Sequence, residues 1–233
     1  MKILAIVPAR SGSKGLPNKN LAKIGNKTLL ELAIKVGLDC KIIDDVYVST
    51  DCKEYERKAL SAGAKSLGLR SKEYATDISN TIDVVIDLIK KLEKKYDFLV
   101  LLQPTSPIRE PRDIENIIDL IKEKNADACV SVTQFEEPHP FKLKSIANDG
   151  YIMSFLDGKT SEIPRQLLPK VYALNGAIYV TKVQKIIDEK PFLPTKTLPY
   201  IMNTSINIDT EQDLLLLKAI LRKKKAKVWN RHV

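Results

Sequence analysis

The chain alternates short, unbroken apolar runs with longer stretches in which apolar residues recur at helical spacing. "ILAIV", from Ile3, is apolar at every position, which predicts a strand covered on both faces. "TLLELAIKVGL" then shows helical spacing, with Thr28 as its N-cap. "DVYVST" predicts a second strand, and "DCKEYERKALSAG" a helix that stops at Gly63, with Asp51 as a cap. "NTIDVVIDLIKKLEKKY" predicts a strongly amphipathic helix running to Tyr96. "FLVLLQ" predicts a buried strand, "PRDIENIIDLIKEKN" a helix opened by proline, and "DACVSV" another strand. This alternation predicts a three-layer α/β fold, Rossmann-like, with a mainly parallel sheet.

The rhythm breaks after Val132. Residues from about 134 to 170 are rich in proline, lysine and polar residues, with short strand-like pieces such as "GYIMSF". That is too long for an ordinary connection, and it predicts an excursion from the main sheet. Regular elements resume at "YALNGAIYV" and lead to a last helix from Glu211 to Lys225. The expectation is one domain over 1–233 carrying an excursion at about 134–170.

With 233 residues, 44% of them hydrophobic, the chain buries enough apolar surface to need no disulfide staple. Cys40, Cys52 and Cys129 lie far apart and match no metal spacing, which predicts reduced, buried thiols and a cytoplasmic setting. The five-residue apolar run after Met1-Lys2 is too short for a secretory core, and no apolar stretch is long enough to span a membrane. The net charge of +9 points to anionic partners. Much of the excess sits on lysine-rich helix faces and in the tail "LRKKKAKVWNRHV", with no nucleic-acid recognition motif beside it, so no nucleic-acid partner is expected.

In an open α/β sheet, ligands bind beyond the carboxyl ends of the strands. "PARSGSKGLPNKN", Pro8 to Asn20, lies there directly after the first strand. Gly12 and Gly15 permit tight turns and close approach of backbone N–H groups to phosphate oxygens, while Arg10 and Lys19 supply charge. The spacing is neither GxxxxGK[ST] nor GxGxxG. "LLQPTSPIR" is a second strand-end loop, in which Gln103, Thr105 and Ser106 offer donors and acceptors. "NGAIYV" is either a further polar and aromatic contribution or a strand reached through an Asn-Gly turn. Lys142 and Arg165 are cations within the excursion, available to an acidic substrate or to solvent, and His139 reads as a loop residue. In "INIDTEQD", Thr210 and Asp213 fit a capping box, which makes Asp213 structural; Asp209 sits just before it, at the expected sheet edge, where a carboxylate can hold Mg²⁺ against phosphate.

Taken in order, "IVPARSGSKGLPNKN", "VYVSTD", "LLQPTSP", "NGAIYV" and "INIDTEQD" resemble the acylneuraminate cytidylyltransferases, the CMP-sialic acid synthetases and their legionaminic and pseudaminic relatives, from Ile3 to about Leu217. The resemblance implies a nucleotide-diphosphosugar transferase-like fold, dimerisation through the excursion, and transfer from CTP to a nine-carbon α-keto sugar acid with release of pyrophosphate. It implies that the loop holding Ala9, Arg10, Ser11, Gly12, Lys19 and Asn20 carries the CTP phosphates, and that Arg70, Ala75, Asp77 and Ser79 bound the cytidine. It places Gln103, Thr105, Ser106, Lys142, Arg165, Asn175 and Tyr179 around the sugar acid. Arg10, Lys19 and Asp209 are the implied catalytic groups, with Mg²⁺ on Asp209 and Asn207. Two departures stand out. The family commonly has Asp-x-Asp where this chain has Asn207-x-Asp209, and many sialic acid enzymes carry an arginine shortly before "NGAIY", where this chain has Lys170. The alternatives are a synthetase for another 3-deoxy-ulosonic acid, such as the eight-carbon acid of lipopolysaccharide, and a non-catalytic nucleic-acid-binding module.

Overall fold

The first apolar run becomes β1, Ile3–Pro8, with Ile3 to Val7 fully buried. It lies parallel between β4, Asp45–Ser49, and β5, Phe98–Leu101. The computed structural model describes residues 1–13, 15–74, 80–135, 137–156, 158 and 161–229. Beyond β5 the sheet continues through β9, Val171–Lys182, then β6, Ala128–Phe135, and finally β10, Thr197–Ile201. β9 runs antiparallel to both of its neighbours, and β10 lies parallel to β6 at the edge. Pro199 is tolerated in β10 because an edge strand need not donate on both sides.

Alternation along β1 builds the three layers. Ile3, Ala5 and Val7 face one core, packed against α1 (Leu29–Asp39), α2 (Lys53–Ser61) and α4 (Pro111–Lys124). Leu4 and Ile6 face the other, packed against α3 (Thr81–Lys91) and α5 (Val183–Glu189). A third, smaller cluster of Leu29, Ile208 and Leu217 seats α6, Glu211–Trp229, near the strand ends. Among the described residues no helix is long and apolar enough to cross a membrane.

The expected caps are present. Thr28 accepts from the Glu31 N–H at 3.2 Å while the Glu31 carboxylate accepts from the Thr28 N–H at 2.7 Å. Thr210 and Asp213 reciprocate in the same way at the start of α6. Other expectations are corrected. α3 ends at Lys91 rather than Tyr96: Leu92 turns extended, and Tyr96 instead donates its hydroxyl to Asp45 at 2.6 Å. The N-cap position of α2 is Cys52, not Asp51, and Cys52 is half-buried where Cys40 and Cys129 are buried. Residues 203–210 form no strand, so Asn207 and Asp209 lie in an irregular segment between β10 and α6. A small hairpin of β2 (Lys23–Ile24) and β3 (Lys27–Thr28), turning at Gly25, was not legible in the pattern.

The excursion carries its own hairpin, β7 (Lys144–Ile146) with β8 (Ile152–Ser154). His139 pins its base. One ring nitrogen accepts from the Phe141 N–H at 3.2 Å, the other lies 3.0 Å from the Pro169 carbonyl oxygen, and the ring meets Phe141 edge-on.

Candidate active site

Loops beyond the carboxyl ends of β1 and β5, with the segments after α2 and before α6, enclose a cavity of about 350 Å³. Arg10, Lys19 and Asn20 reach it from the segment after β1, and Arg70 from the segment after α2. Gln103 and Thr105 come from the loop after β5, and Asn207 and Asp209 from the segment before α6. Residues distant in sequence thus converge at one strand edge, where an α/β sheet binds its ligand.

The loop after β1 is shaped by its own polar side chains. Asn20 is buried and donates its amide to the Arg10 carbonyl at 3.0 Å, folding the loop back on itself. Asn18 takes a left-handed conformation, φ 52°, held by the Tyr55 hydroxyl at 3.2 Å. Ala9 is fully buried and donates its N–H to the Ser49 carbonyl. Asp51 accepts from the Ser11 N–H at 2.8 Å and from its hydroxyl at 3.0 Å, tying the loop to the end of β4. Asp51 is therefore a positioning residue for this loop, a role its place before α2 disguised as a cap. Of the two glycines, only Gly15 is sterically demanded: a Cβ there would stand 2.5 Å from the Asp209 carbonyl oxygen, whereas one on Gly12 would meet nothing within 4 Å.

A polar chain crosses the site. Lys19 Nζ donates to Asp209 Oδ1 at 2.7 Å, Asn207 Nδ2 to Asp209 Oδ2 at 2.6 Å, and Ser106 Oγ to Asn207 Oδ1 at 3.2 Å. An irregular segment thus brings Asn207 and Asp209 side by side. Arg70 is largely enclosed: Nη2 donates to the Ser49 carbonyl at 2.5 Å, Nε has no partner among the described residues, and burial lowers its pKa. Ala75, Asp77 and Ser79 lie outside the described residues.

The residues expected around the sugar acid divide into two groups. Gln103 and Thr105 line the cavity, and Ser106 lies buried behind them. Gly176, at φ +71°, leaves open the space where a Cβ would stand 2.8 Å from both Gln103 Oε1 and Ser106 Oγ. Asn175 is buried within β9 rather than in a turn; its Oδ1 accepts from Ser131 Oγ at 2.6 Å and the Ala177 N–H at 3.0 Å, and its Nδ2 donates to Thr133 Oγ1 at 3.1 Å. Tyr179 packs against Phe192, and burial raises its pKa. Lys142 and Arg165 stand exposed on the excursion, Arg165 Nε lying 3.5 Å from Glu137, and neither lines this cavity.

No group of three or more His, Cys, Asp or Glu side chains is placed to hold a metal among the described residues. The oxygens at hand are the Asp209 carboxylate and the Asn207 carbonyl, and the latter now faces Ser106. Hard oxygens of this kind suit Mg²⁺, which accepts few protein ligands when phosphates and waters supply the rest.

Residues 4–162 match the sequence profile of the family described as cytidylyltransferase. The chain belongs to the cytidylyltransferase family. As a cytidylyltransferase it is a nucleotidyltransferase. It is 36% identical over 227 residues to the CMP-N,N'-diacetyllegionaminic acid synthase of Legionella pneumophila, covering 95% of this chain and 97% of that one. It is 35% identical over 226 residues to the N-acylneuraminate cytidylyltransferase of Escherichia coli O18:K1:H7, covering 96% of this chain but 53% of that one. Its match to the N-acylneuraminate cytidylyltransferase of Streptococcus agalactiae serotype V, at 32% identity, likewise spans 52% of that protein. In three dimensions it is similar to a CMP:2-keto-3-deoxy-manno-octonic acid synthetase complexed with CTP, with a TM-score of 0.71 at 18% identity, over 96% of this chain and 100% of that one. That likeness shows the shared cytidylyltransferase fold.

Proposed function

We propose that the chain activates a nine-carbon α-keto sugar acid, transferring CMP from CTP and releasing pyrophosphate. The observation that carries this reading is the convergence of Arg10, Lys19, Arg70 and Asp209 on the cavity that Gln103 and Thr105 also line. The similarity to a CMP-N,N'-diacetyllegionaminic acid synthase over nearly the full length of both chains supports an acid of that class. The sugar hydroxyl oxygen forms a bond to the α-phosphorus as the bond to pyrophosphate breaks, and the hydroxyl proton is lost. Both reactants are anions, so the task is to hold them in line and offset their charge.

In this reading Arg10 and Lys19 neutralise the triphosphate, with the loop between them held in shape by Asp51 and Asn20. Arg70 bounds the cytidine. Gln103 and Thr105 orient the sugar acid, with Ser106 behind them. Asp209 and Asn207 would hold Mg²⁺, which supplies charge neutralisation at the phosphates when bound. Lys19 exchanges its bond with Asp209 for one with phosphate.

The excursion supports a homodimer. A two-stranded hairpin is marginally stable at best alone in water, yet β7 and β8 expose Ile146 at 76% and Ile152 at 71%, and Leu167, elsewhere in the excursion, is 74% exposed. A second copy of the chain covers this face, and Lys142 and Arg165 then serve the neighbouring cavity.

Pyrophosphate release, measured with each of four nucleotides against a panel including N,N'-diacetyllegionaminic, N-acetylneuraminic, pseudaminic and eight-carbon acids, tests the reading. Release is expected only with CTP and a nine-carbon acid. Release that needs no sugar acid, or that occurs only with the eight-carbon acid, overturns it.

A further inference from the structure

Arg109 closes the "LLQPTSPIR" loop and is 6% exposed. Its Nη1 donates to the carbonyl oxygens of Gln103 at 2.8 Å, Ser106 at 3.0 Å and Ala177 at 2.8 Å. Nε and Nη2 are buried with no partner among the described residues. The adjacent Glu110 caps α4 through its main chain: its carbonyl accepts from the Asp113 N–H at 3.1 Å and its N–H donates to the Asp113 carboxylate at 2.7 Å. Burial alone pulls the Arg109 pKa down to about 9, so the fold tolerates a charge that it does not neutralise.

An apolar residue would fill the same space without that cost, so the three carbonyls must matter. Two of them bracket the tight turn that carries Gln103 and Ser106; the Ser106 N–H closes it on the Gln103 carbonyl at 3.3 Å. The third belongs to β9, one residue past Gly176, whose missing Cβ leaves room for Gln103 Oε1 and Ser106 Oγ. One planar cation thus fixes the turn against the strand at the point where both side chains lodge.

We infer that Arg109 is a positioning residue for the sugar-acid side of the site, acting through the main chain of the Gln103–Ser106 turn. The inference rests on the proposed role of Gln103 toward the sugar acid. All three bonds leave one nitrogen, so the ammonium of a lysine, with three N–H donors, can keep part of them, while its flexible stem fixes their direction less firmly than the planar guanidinium does. The loop after β1, which carries Arg10 and Lys19, has anchors of its own in Asp51 and Asn20.

The test compares Arg109→Lys, Arg109→Gln, Gln103→Ala and the Gln103→Ala/Arg109→Lys double variant in the pyrophosphate assay. The acceptor is whichever nine-carbon acid the panel shows to be turned over. Each Arg109 variant is expected to raise the KM for the sugar acid by about tenfold or more, to change the KM for CTP by less than about twofold, and to lose less with lysine than with glutamine. The double variant should be no worse than Gln103→Ala alone, because both changes act on one group. Arg109→Gln carries the same comparison if the lysine variant does not fold. Equal rises in both KM values, or additive effects in the double variant, overturn the inference while leaving Gln103 in its role. An unchanged sugar-acid KM in Gln103→Ala overturns the reading of the site and the inference with it.

Discussion

Lys19 and Asp209 form an ion pair whose partners are 20% and 57% exposed, a geometry that contributes little to folding because water screens it. In the proposed reading its value lies in poising a cation beside the CTP phosphates. Lys19→Ala and Arg10→Ala are therefore expected to leave thermal unfolding nearly unchanged. Each should cost about 2–4 kcal/mol in the transition state, a fall in kcat on the order of 30- to 1000-fold. Near-normal turnover in either variant would show that charge to be solvent-facing decoration. Asn207 offers a finer test. Its amide nitrogen faces Asp209, so bringing its oxygen to the same ion requires a half-turn of the amide that sets two oxygens about 2.6 Å apart, the distance now spanned by the Asn207–Asp209 bond, and only a cation stabilises that. Asn207→Asp adds the missing carboxylate and should retain activity while lowering the Mg²⁺ concentration at half-maximal rate. An unchanged midpoint would assign Asn207 to the Ser106–Asp209 polar chain alone. Lys19 was legible in the sequence because charge after a buried strand is a local signal, and Asp209 because it directly precedes a capping box. Asp51 and Arg109 were not, since what distinguishes them is a partner or a depth of burial set by segments elsewhere in the chain.

At the scale of elements, the apolar pattern located β1, β4, β5, β6 and β9 but neither β10 nor the β2–β3 hairpin, and the caps located the starts of α1, α4 and α6. It missed the end of α3, because the helical spacing continues through Tyr96 while a carboxylate 51 residues away claims that side chain. It did not reveal that β9 runs antiparallel, since a strand buried on both faces reads alike in either direction. Asp45, at the start of β4, is buried, which would raise its pKa. Hydrogen bonds from Lys65, Lys94 and Tyr96 outweigh that and hold the carboxyl well below the usual carboxylate range. A carboxyl whose pKa is depressed by folding contributes stability that is present above its unfolded pKa of about 4 and is lost as pH falls below that value. Urea unfolding followed from pH 6 to pH 3 should show wild type losing more stability than Asp45→Asn over that interval. Parallel losses in the two proteins would mean that the acid sensitivity arises elsewhere.

For the whole molecule, the decisive matter is whether one chain holds a complete site. The cavity gathers the cations of the β1 loop, yet Lys142 and Arg165 stand exposed outside it, on an excursion whose apolar hairpin is exposed. If a second copy covers that hairpin, sedimentation at micromolar concentration should show a dimer, and Ile152→Glu should shift it toward monomer with loss of turnover. Complementation separates a shared site from mere association. In Lys19→Ala the phosphate side is lost, and in Arg165→Ala the excursion side is lost. When the two are unfolded, mixed in equal amounts and refolded, half of the dimers pair unlike chains. In each of those, one cavity receives both lesions and the other receives neither. About a quarter of all sites should then regain wild-type turnover, although each parent alone is impaired. If Arg165 serves the cavity of its own chain, every cavity in every pairing carries one lesion, and the mixture should do no better than the mean of its parents.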